Sequence, residues 1–436
     1  MNKVLISQNK HWEKRFEHLY ERDVFSKLIY NLQTKHIQVL QGIRRAGKSS
    51  LFQLLINHLS QTGDPKEILY VNLDDPFFIK YSNNPQSFYE IIQTAEKLTQ
   101  KKIKYLFLDE VQAINGWEKY IKSVYDSREF NKIFITGSNA SLLNGNLATL
   151  LTGRYLFTKV YPLSFKEILK INNIDSFLEL NKELPKVLKI VDDMMLYGSF
   201  AEVYELENEL KRDIITSYYD TILFKDCIAN NQIRDIKGFK ELSFYLLSNL
   251  TSPYSYASLS KTLKLNDKSI KDYIESLENC YLFSELKLYS YSLKEQINNK
   301  KKLYLCDNGF MNLGFNFSSN YGKLLENLVF SELIKKGFEV YFYNKTNECD
   351  FIAKKEGKTI ALQVCYELNE QNKTREVNGL LKLPFKVDKK YIITYNQDNK
   401  ILQSDNLKDI KVFSFWEYIE HAILQKLIKK MPKILI

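Results

Sequence analysis

Long hydrophobic runs are missing from this sequence of 436 residues. No apolar stretch reaches the roughly 18 residues that a transmembrane helix requires. The start of the chain, from Met1 to Ile6, is too short an apolar segment to be a signal peptide. Together these absences predict a cytoplasmic protein with no membrane partner.

Cysteine is scarce, and its spacing excludes two classes of protein. The five cysteines lie far apart, and no two of them form a C-x-x-C pair. Such spacing indicates neither a zinc site nor a disulfide framework. We therefore expect reduced thiols in packed positions. These cysteines are Cys227, Cys280, Cys306, Cys349 and Cys365.

Apolar residues make up 44% of the chain, which can fill several hydrophobic cores. The length corresponds to about three domains of ordinary size. The net charge of +10 would suit a polyanionic partner. However, the sequence is also rich in Asn, Ile and Tyr, a composition typical of an AT-rich genome. The charge therefore indicates nucleic-acid binding only where basic residues cluster on one element.

The phosphate-binding pattern G-x-x-x-x-G-K-[ST] is complete between Gly42 and Ser49. A mostly apolar run at residues 37–40 precedes it, and leucines at helical spacing follow it, so we expect a strand, a loop and a helix in that order. Lys48 would meet the β- and γ-phosphates, and the Ser49 hydroxyl would reach Mg²⁺. The predicted nucleotide-binding residues are Gly42, Ile43, Arg44, Arg45, Ala46, Gly47, Lys48, Ser49 and Ser50.

A second apolar run, at residues 105–108, ends in two acids, Asp109 and Glu110. Beside a phosphate-binding loop, Asp109 would hold Mg²⁺ through water, and Glu110 would orient or deprotonate the attacking water. The alternative is that these acids only cap the next helix. The motif predicts nucleotide hydrolysis, with Glu110 and Lys48 among the catalytic residues.

The next predicted strand, Lys132–Gly137, is followed by Ser138 and Asn139. We interpret these two residues as a polar pair that senses the γ-phosphate. A turn formed by the Gly-Ser-Asn sequence explains them equally well. Arg154, which precedes a predicted strand at residues 155–161, is a candidate charge-stabilising arginine, either in its own site or in that of a neighbouring subunit.

The order and spacing of these segments resemble a known family, the bacterial and archaeal AAA+ ATPases of the P-loop superfamily that carry a restriction-nuclease-like domain in their C-terminal half. The resemblance implies ATP as the nucleotide. It includes two arginines within the loop, Arg44 and Arg45, and a glutamine after the acids, Gln112. The motifs that carry it lie at residues 42–49, 108–112, 117–118, 136–138, 151–155, 162–165 and 198–203.

The resulting fold class is α/β, with a P-loop NTPase parallel sheet, a helical lid, a winged-helix unit and a C-terminal α/β domain like that of restriction endonucleases. Apolar residues at three- and four-residue intervals predict the lid. Arg212 and Lys225 either reach phosphates from this lid or form part of a solvated helix face. The predicted domains are the AAA+ core at 1–170, the lid at 171–235, the winged-helix-like unit at 236–305 and the nuclease-like domain at 306–436.

Three helices and two strands, as in a winged helix, are predicted for the third of these domains. If this unit binds DNA, Lys268 and Lys271 lie in a groove, and Lys300, Lys301 and Lys302 touch phosphate from the wing. The third helix also exposes acids that would face phosphates unfavourably. A module that contacts protein or another domain is therefore at least as well supported.

In the last domain, a helix and three strands within residues 321–364 resemble the core of PD-(D/E)xK nucleases. The resemblance implies that Glu326 and Asp350 hold a metal ion. Gln363 stands where that motif has an acid, and a cysteine stands where it has a lysine. We therefore predict a degenerate site without nuclease activity. Lys323, one helical turn before Glu326, is the lysine best placed by sequence to enter the site.

The sequence thus predicts an ATP-hydrolysing AAA+ protein that uses ATP and Mg²⁺ and whose nucleotide state rearranges the winged-helix and nuclease-like domains. One alternative is an ATP-gated protein that binds or cleaves DNA. Another is a low-turnover nucleotide switch that acts on a protein partner. Both the class of partner, DNA or protein, and the oligomeric state are open at this level.

Overall fold

The chain folds into two compact units. One comprises Met1–Pro162 together with Asn279–Tyr281, and the other comprises Leu163–Glu278 and continues from Leu282. Within the described part of the chain, no helix has both the length and the apolar character needed to cross a membrane. The computed structural model describes residues 1–138, 150–314, 320–398 and 409–420.

A parallel β-sheet forms the centre of the first unit. Its described strands are β1 (Ile37–Gln41), β2 (Ile68–Asn72), β3 (Tyr105–Asp109), β4 (Lys132–Gly137) and β5 (Tyr155–Lys159). The strand order is β2-β3-β4-β1-β5, and the paired strands are parallel. The described helices of this unit are α1 (Asn2–Gln8), α2 (Phe25–Tyr30), α3 (Lys48–Leu59), α4 (Ser87–Thr99) and α5 (Trp117–Asp126).

Strand β3 shows why the predicted strands read as unbroken apolar runs. Leu106 and Leu108 lie in the same buried cluster as Phe88 of α4. Phe107 packs against Phe52 of α3 instead, with the ring centroids 5.1 Å apart. Because successive side chains of a strand point to opposite faces, apolar helices must pack on both faces of this sheet. The carboxyl ends of all its strands therefore meet at one edge, between the helices.

Side chains of the N-terminal segment cover the outer edge of β2. Asn9 exchanges two hydrogen bonds with the main chain of Tyr70: its Nδ2 donates to the carbonyl oxygen at 2.8 Å, and its Oδ1 accepts from the N–H at 2.7 Å. Gln8 makes the same exchange with Asn72, at 3.2 and 2.9 Å. These bonds satisfy main-chain groups that the last strand of a sheet otherwise leaves unpaired.

The second unit begins with helices and one antiparallel strand pair. A capping box starts α6, since the N–H of Glu167 donates to Ser164 Oγ and the N–H of Ser164 donates to Glu167 Oε2. The helices are α6 (Phe165–Ile171), α7 (Phe177–Lys182), α8 (Leu184–Tyr197), α9 (Ala201–Tyr204), α10 (Asn208–Thr221), α11 (Ile236–Ser248), α12 (Tyr256–Leu263), α13 (Asp267–Asn279) and α14 (Leu293–Asn298). A π-helix at Ile222–Ala229 continues α10. The paired strands are β6 (Phe283–Leu286) and β7 (Lys302–Leu305).

A second sheet follows, in the order β12-β11-β10-β9-β8. Its first three strands in sequence pair antiparallel, and β10, β11 and β12 pair parallel. The predicted helix and the three strands after it are confirmed as secondary structure. The elements are α15 (Tyr321–Lys335), β8 (Glu339–Asn344), β9 (Glu348–Lys355), β10 (Lys358–Val364), α16 (Lys373–Leu381), β11 (Lys389–Thr394), β12 (Ile410–Ser414) and α17 (Phe415–Glu420).

The expected burial of cysteines is confirmed, since all five are buried. Ile270, Tyr273, Ile274 and Leu277 form the buried face of α13. The second unit contains the segments that the sequence divided into lid, winged-helix-like unit and nuclease-like domain. That division stays a prediction.

Candidate functional site

Two glycines shape the phosphate-binding loop. At Gly42, an added Cβ would lie 1.8 Å from the main-chain oxygen of Val160, so a side chain does not fit between the loop and this segment. Gly47 has a φ of +92°, in the left-handed region that glycine adopts at little cost. It immediately precedes α3. The predicted order of strand, loop and helix is thus confirmed.

The start of α3 offers hydrogen-bond donors to a ligand. Among the residues that the structure describes, none accepts a hydrogen bond from the main-chain N–H groups of Gly47, Lys48 and Ser49. The first N–H groups of a helix have no partner within the helix and carry a partial positive charge. A nucleotide phosphate therefore fits this part of the loop.

Lys48 is buried beside the loop. Its Nζ donates to the main-chain oxygens of Gly42 and Ile43, at 3.0 and 3.2 Å. The same nitrogen lies 3.8 Å from Oε1 of Glu110. The ammonium is therefore held between the loop and the acidic end of β3, where it can neutralise phosphate oxygens.

Asp109 is buried and accepts hydrogen bonds from three hydroxyl groups. Ser49 and Tyr70 donate to Oδ2, at 2.5 and 2.8 Å, and Thr136 donates to Oδ1. Burial raises the pKa of Asp109, the carboxylate of Glu110 raises it further, and the three hydroxyl donors oppose this rise. A divalent cation would offset the burial of this carboxylate in the same way. Ser49 and Asp109 therefore fit the Mg²⁺ that the motif implies.

Glu110 is held through both its main chain and its side chain. Its φ of +52° is left-handed, a conformation that costs a residue with a side chain about 1 kcal/mol. Its N–H donates to Thr136 Oγ1 at 2.9 Å. Its Oε2 accepts from Nε2 of Gln112 at 2.5 Å and from the N–H of Ser138 at 3.2 Å. With 14% of the side chain exposed, the carboxylate is fixed in direction but still reaches water.

Sequence reasoning missed two members of this site, Thr136 and Tyr70. Thr136 interrupts an apolar run shortly before the end of β4, and this polar residue could have been recognised in the sequence as a candidate for the site. Tyr70 could not, because tyrosine is common in strands. Ser138, predicted as a sensor of the γ-phosphate, contacts Glu110 through its main-chain N–H. Its predicted companion, Asn139, lies outside the described residues.

Arg22, which no sequence motif indicated, holds the phosphate-binding loop through hydrogen bonds. Its guanidinium donates to the main-chain oxygens of Ala46 and Tyr161, at 3.0 and 2.7 Å. Of the two arginines within the loop, Arg44 lies 3.7 Å from the carboxylate of Asp74. The loop is therefore held to the segment before β1 as well as to the strands around it.

Arg154 does not reach the phosphate-binding loop of its own chain. It precedes β5, whose first residue pairs with Ile37, the first residue of β1, whereas the loop follows the last residue of β1. The length of β1, roughly 15 Å, separates the two positions. Nε of Arg154 donates to Asp126 Oδ1 at 3.1 Å. The expectation that Arg154 acts in its own site is therefore wrong, and a role in a neighbouring subunit is untested.

A second group of charged side chains surrounds a cavity of about 540 Å³ in the second unit. Nζ of Lys302 lies 3.8 Å from Oε1 of Glu326, 3.9 Å from Oδ1 of Asp350 and 3.2 Å from Oε1 of Glu348. Burial alone would lower the pKa of Lys302, but these three carboxylates raise it above its ordinary value. The two acids predicted from the nuclease resemblance thus lie together, around a lysine.

Gln363 lies at this cavity, but both ends of its amide are already engaged. Its Oε1 accepts from the N–H of Asp350 at 2.8 Å, and its Nε2 donates to Oε2 of Glu376 at 3.0 Å. Glu376 of α16 is a buried acid that the sequence analysis missed. In the described residues, no three His, Cys, Asp or Glu side chains are grouped so as to hold a metal ion. Gln363 therefore links Asp350 of β9 to Glu376 of α16 through hydrogen bonds.

The lysine of this cluster is not the one favoured by the sequence. Lys323 lines the same cavity, but its Nζ contacts Ser252 Oγ, at 3.4 Å. Lys302 lies among the carboxylates instead, because β7 runs beside α15 and the start of β9.

Two lysines that the DNA-binding interpretation assigned to phosphate contacts are buried. Lys302 is 3% exposed and lies among carboxylates. Nζ of Lys301 donates to the main-chain oxygens of Ile297 and Asn299, at 2.8 and 3.1 Å. The expectation that Lys301 and Lys302 touch DNA phosphate from a wing is therefore wrong.

The parallel sheet, with a glycine loop after β1 and paired acids after β3, defines a P-loop NTPase fold. A family model described as "AAA domain" matches residues 34–169, so this fold is of the AAA class. Models of two domains of unknown function, DUF8612 and DUF4143, match residues 188–320 and 321–418. They do not confirm the winged-helix or the nuclease-like assignment.

Two relatives align with nearly the whole chain. An uncharacterized protein of Methanocaldococcus jannaschii is 35% identical over 91% of this chain and 90% of its own length. An uncharacterized protein of Haemophilus influenzae is 34% identical over 88% of this chain and 92% of its own length. The chain belongs to the family that these archaeal and bacterial proteins represent.

Among solved structures, the chain is similar to the ORC1 protein of Aeropyrum pernix, solved in complex with DNA. The identity is 12%, the alignment covers 74% of this chain and 95% of that one, and the TM-score is 0.33. At that score the likeness carries no argument about the ligand or the partner of this chain.

Proposed function

We propose that this chain binds ATP with Mg²⁺ and hydrolyses it at the carboxyl edge of the sheet in the first unit. The observation that carries the proposal is the convergence of Lys48, Ser49, Asp109 and Glu110. Ser49 is hydrogen-bonded to Asp109, and Lys48 lies within ion-pair distance of Glu110. The match to an AAA domain supports a nucleoside triphosphate as the ligand, and the preference for adenine follows from the family resemblance alone.

Bound ATP and Mg²⁺ supply the electrophilic phosphorus and the charge that stabilises its leaving group. Lys48 holds phosphate oxygens, and Ser49 and Asp109 hold the cation. Glu110 accepts a proton from the attacking water on Oε1, because Oε2 is engaged by Gln112 and by the main chain of the strand beside it. A nucleotide switch with almost no turnover would need a poorly placed Glu110, so these contacts favour hydrolysis.

We also propose that nucleotide state rearranges the winged-helix-like and nuclease-like domains and that the partner is a protein. The burial of Lys301 and Lys302 supports this choice, since it removes two of the basic side chains that a DNA-binding wing would use. Hydrogen exchange of Glu110→Gln with and without ATP tests the rearrangement. It should slow in peptides from residues 171–305 as well as in the loop, and a change confined to the loop would argue against it.

Steady-state ATP hydrolysis by the full chain tests the main proposal. Lys48→Ala should abolish nucleotide binding. Glu110→Gln should keep binding and lose turnover by roughly 10²- to 10⁴-fold, the contribution of a positioned base. Glu90→Gln changes an exposed glutamate on α4 of the same unit and is the matched control, with wild-type turnover expected. Equal rates for Glu110→Gln and the wild type would contradict the assignment of the base.

The same assay with double-stranded and single-stranded DNA separates the two classes of partner. Turnover that DNA does not change supports a protein partner. Stimulation by DNA that weakens with added salt would favour ATP-gated DNA binding instead. Plasmid cleavage with Mg²⁺ or Mn²⁺ that disappears in Asp350→Ala would contradict the prediction, made from the sequence, that the C-terminal domain has no nuclease activity.

A further inference from the structure

Three carboxylates of the second unit surround one nitrogen atom. Oxygens of Glu348, Glu326 and Asp350 lie 3.2, 3.8 and 3.9 Å from Nζ of Lys302. The side chains of Lys302, Glu326 and Asp350 are only 3, 12 and 14% exposed, so water screens their charges weakly. The carboxylates come from α15 and β9, and the ammonium comes from β7. One cation thus serves acids from two separate elements, as a metal ion does in a carboxylate site.

The other bonds of these acids hold them in place around the lysine. The hydroxyl of Tyr304 donates to Oε1 of Glu326 at 2.6 Å. The N–H of Val364 donates to Oδ2 of Asp350 at 2.8 Å. Glu326 and Asp350 therefore stay beside each other when the charge between them is lost, whereas Glu348, with 50% of its side chain exposed, can turn toward water. Repulsion between these two carboxylates is offset by a cation at the position of Nζ or by a proton on one of them, since burial raises the pKa of both.

We propose that Nζ of Lys302 takes the position of a divalent cation in this cluster, so that the site binds no metal ion and is neutralised by the chain itself. The contacts of Gln363 support this role, because its side-chain amide forms hydrogen bonds with Asp350 and Glu376. The proposal is independent of ATP hydrolysis in the first unit. It assigns Lys302 as a positioning residue that keeps buried acids together.

Removal of the ammonium tests the proposal. Lys302→Ala leaves three carboxyl groups around a space that can admit a cation. Burial raises the pKa of Asp350 and Glu326, so protons compete with a metal for these oxygens, and the variant should gain a site for Mn²⁺ at alkaline pH. We expect Mn²⁺ to raise the Tm of nucleotide-free Lys302→Ala, with a roughly 100-fold change in the folding equilibrium constant at 100 times the Kd. Lys301→Ala is the matched control, because it removes the neighbouring buried lysine, whose Nζ contacts main-chain oxygens. Its response to Mn²⁺ should equal that of the wild type.

Equilibrium dialysis with Mn²⁺ gives a second measurement that does not depend on the folding of Lys302→Ala. The wild type and Asp350→Asn should bind equal amounts of Mn²⁺, because Lys302 already occupies the site. Any Mn²⁺ bound by the first unit is common to both chains. One additional Mn²⁺ per wild-type chain would overturn the proposal, and so would a Lys302→Ala chain that responds to Mn²⁺ no more than Lys301→Ala does.

Discussion

Thr136→Val and Thr158→Val are the same substitution in one sheet, with different expected outcomes. The two threonines lie on β4 and β5 and are 0% and 3% exposed. The hydroxyl of Thr136 donates to Asp109 and accepts from the N–H of Glu110. Within the described ranges, Oγ1 of Thr158 has no hydrogen-bond partner. Valine preserves the shape of threonine and removes its hydroxyl, so the pair isolates the effect of these hydrogen bonds.

The expected magnitudes follow from what each hydroxyl contacts. A hydrogen bond to a charged group contributes about 1.5–3 kcal/mol, and a neutral one contributes about 1 kcal/mol. Thr136→Val removes one of each, so the opening of β3 and β4 should become easier by roughly 3 kcal/mol. Thr158→Val removes an unpaired buried hydroxyl, so it should be neutral or stabilise by about 1 kcal/mol.

Amide hydrogen exchange, measured on peptides that cover Tyr105–Asp109 and Lys132–Gly137, reports this opening. A change of 3 kcal/mol corresponds to roughly 150-fold faster exchange in Thr136→Val. Thr158→Val should exchange at the wild-type rate or more slowly. Equal exchange in the two variants would refute the reasoning, because Thr136 would then hold Asp109 no more firmly than an unpaired hydroxyl does.

Two further outcomes are expected. Gly42→Ala places a Cβ 1.8 Å from the oxygen of Val160, so affinity for a fluorescent ATP analogue should fall roughly tenfold or more. Gly322→Ala, whose Cβ would meet only Asn320 Oδ1, at 3.4 Å, should keep the wild-type affinity. Burial, and to a lesser extent the carboxylate of Glu285, raises the pKa of Glu278 from 4.5 to about 7. The folded protein therefore holds this proton more tightly than the unfolded chain does, and the protein loses stability as the pH rises from 4.5 to about 7. In urea unfolding, the free energy of unfolding of Glu278→Gln, relative to that of the wild type, should rise by roughly 3 kcal/mol between pH 4.5 and about pH 7. A difference that does not change with pH would contradict this account.

The chemistry of the nucleotide site could be predicted from the sequence where its residues are close in the chain. The loop is one continuous motif, and Asp109 and Glu110 are adjacent. Tyr70 and Thr136 lie 39 and 27 residues from Asp109 and reach it only through the register of the parallel strands. The spacing of motifs along the sequence does not show how neighbouring strands are aligned. The prediction that Arg154 acts in its own site failed for a related reason. Its position in the sequence did not reveal at which edge of the sheet it lies.

The lysines before β7 show a different limit of sequence reasoning. The DNA-binding interpretation placed Lys300, Lys301 and Lys302 on a wing that contacts phosphate, and only the first of them is exposed. A buried lysine is tolerated where carboxylates surround it, and the acids around Lys302 come later in the chain, from α15 and β9. Helix α15 and strands β8, β9 and β10 were predictable, because their apolar patterns are local. The pairing of charges between them was not.

The covered edge of β2 gives the N-terminal segment a protective role. The family match to the AAA domain begins at residue 34, after Gln8 and Asn9. A protein shortened to that boundary would present the unpaired N–H and C=O groups of Tyr70 and Asn72 along an open strand. Such a strand recruits another copy by strand addition, the route to aggregates and fibrils. Gln8 and Asn9 occupy these groups in the full chain, so we expect a fragment that begins at residue 34 to self-associate more readily than the full chain does.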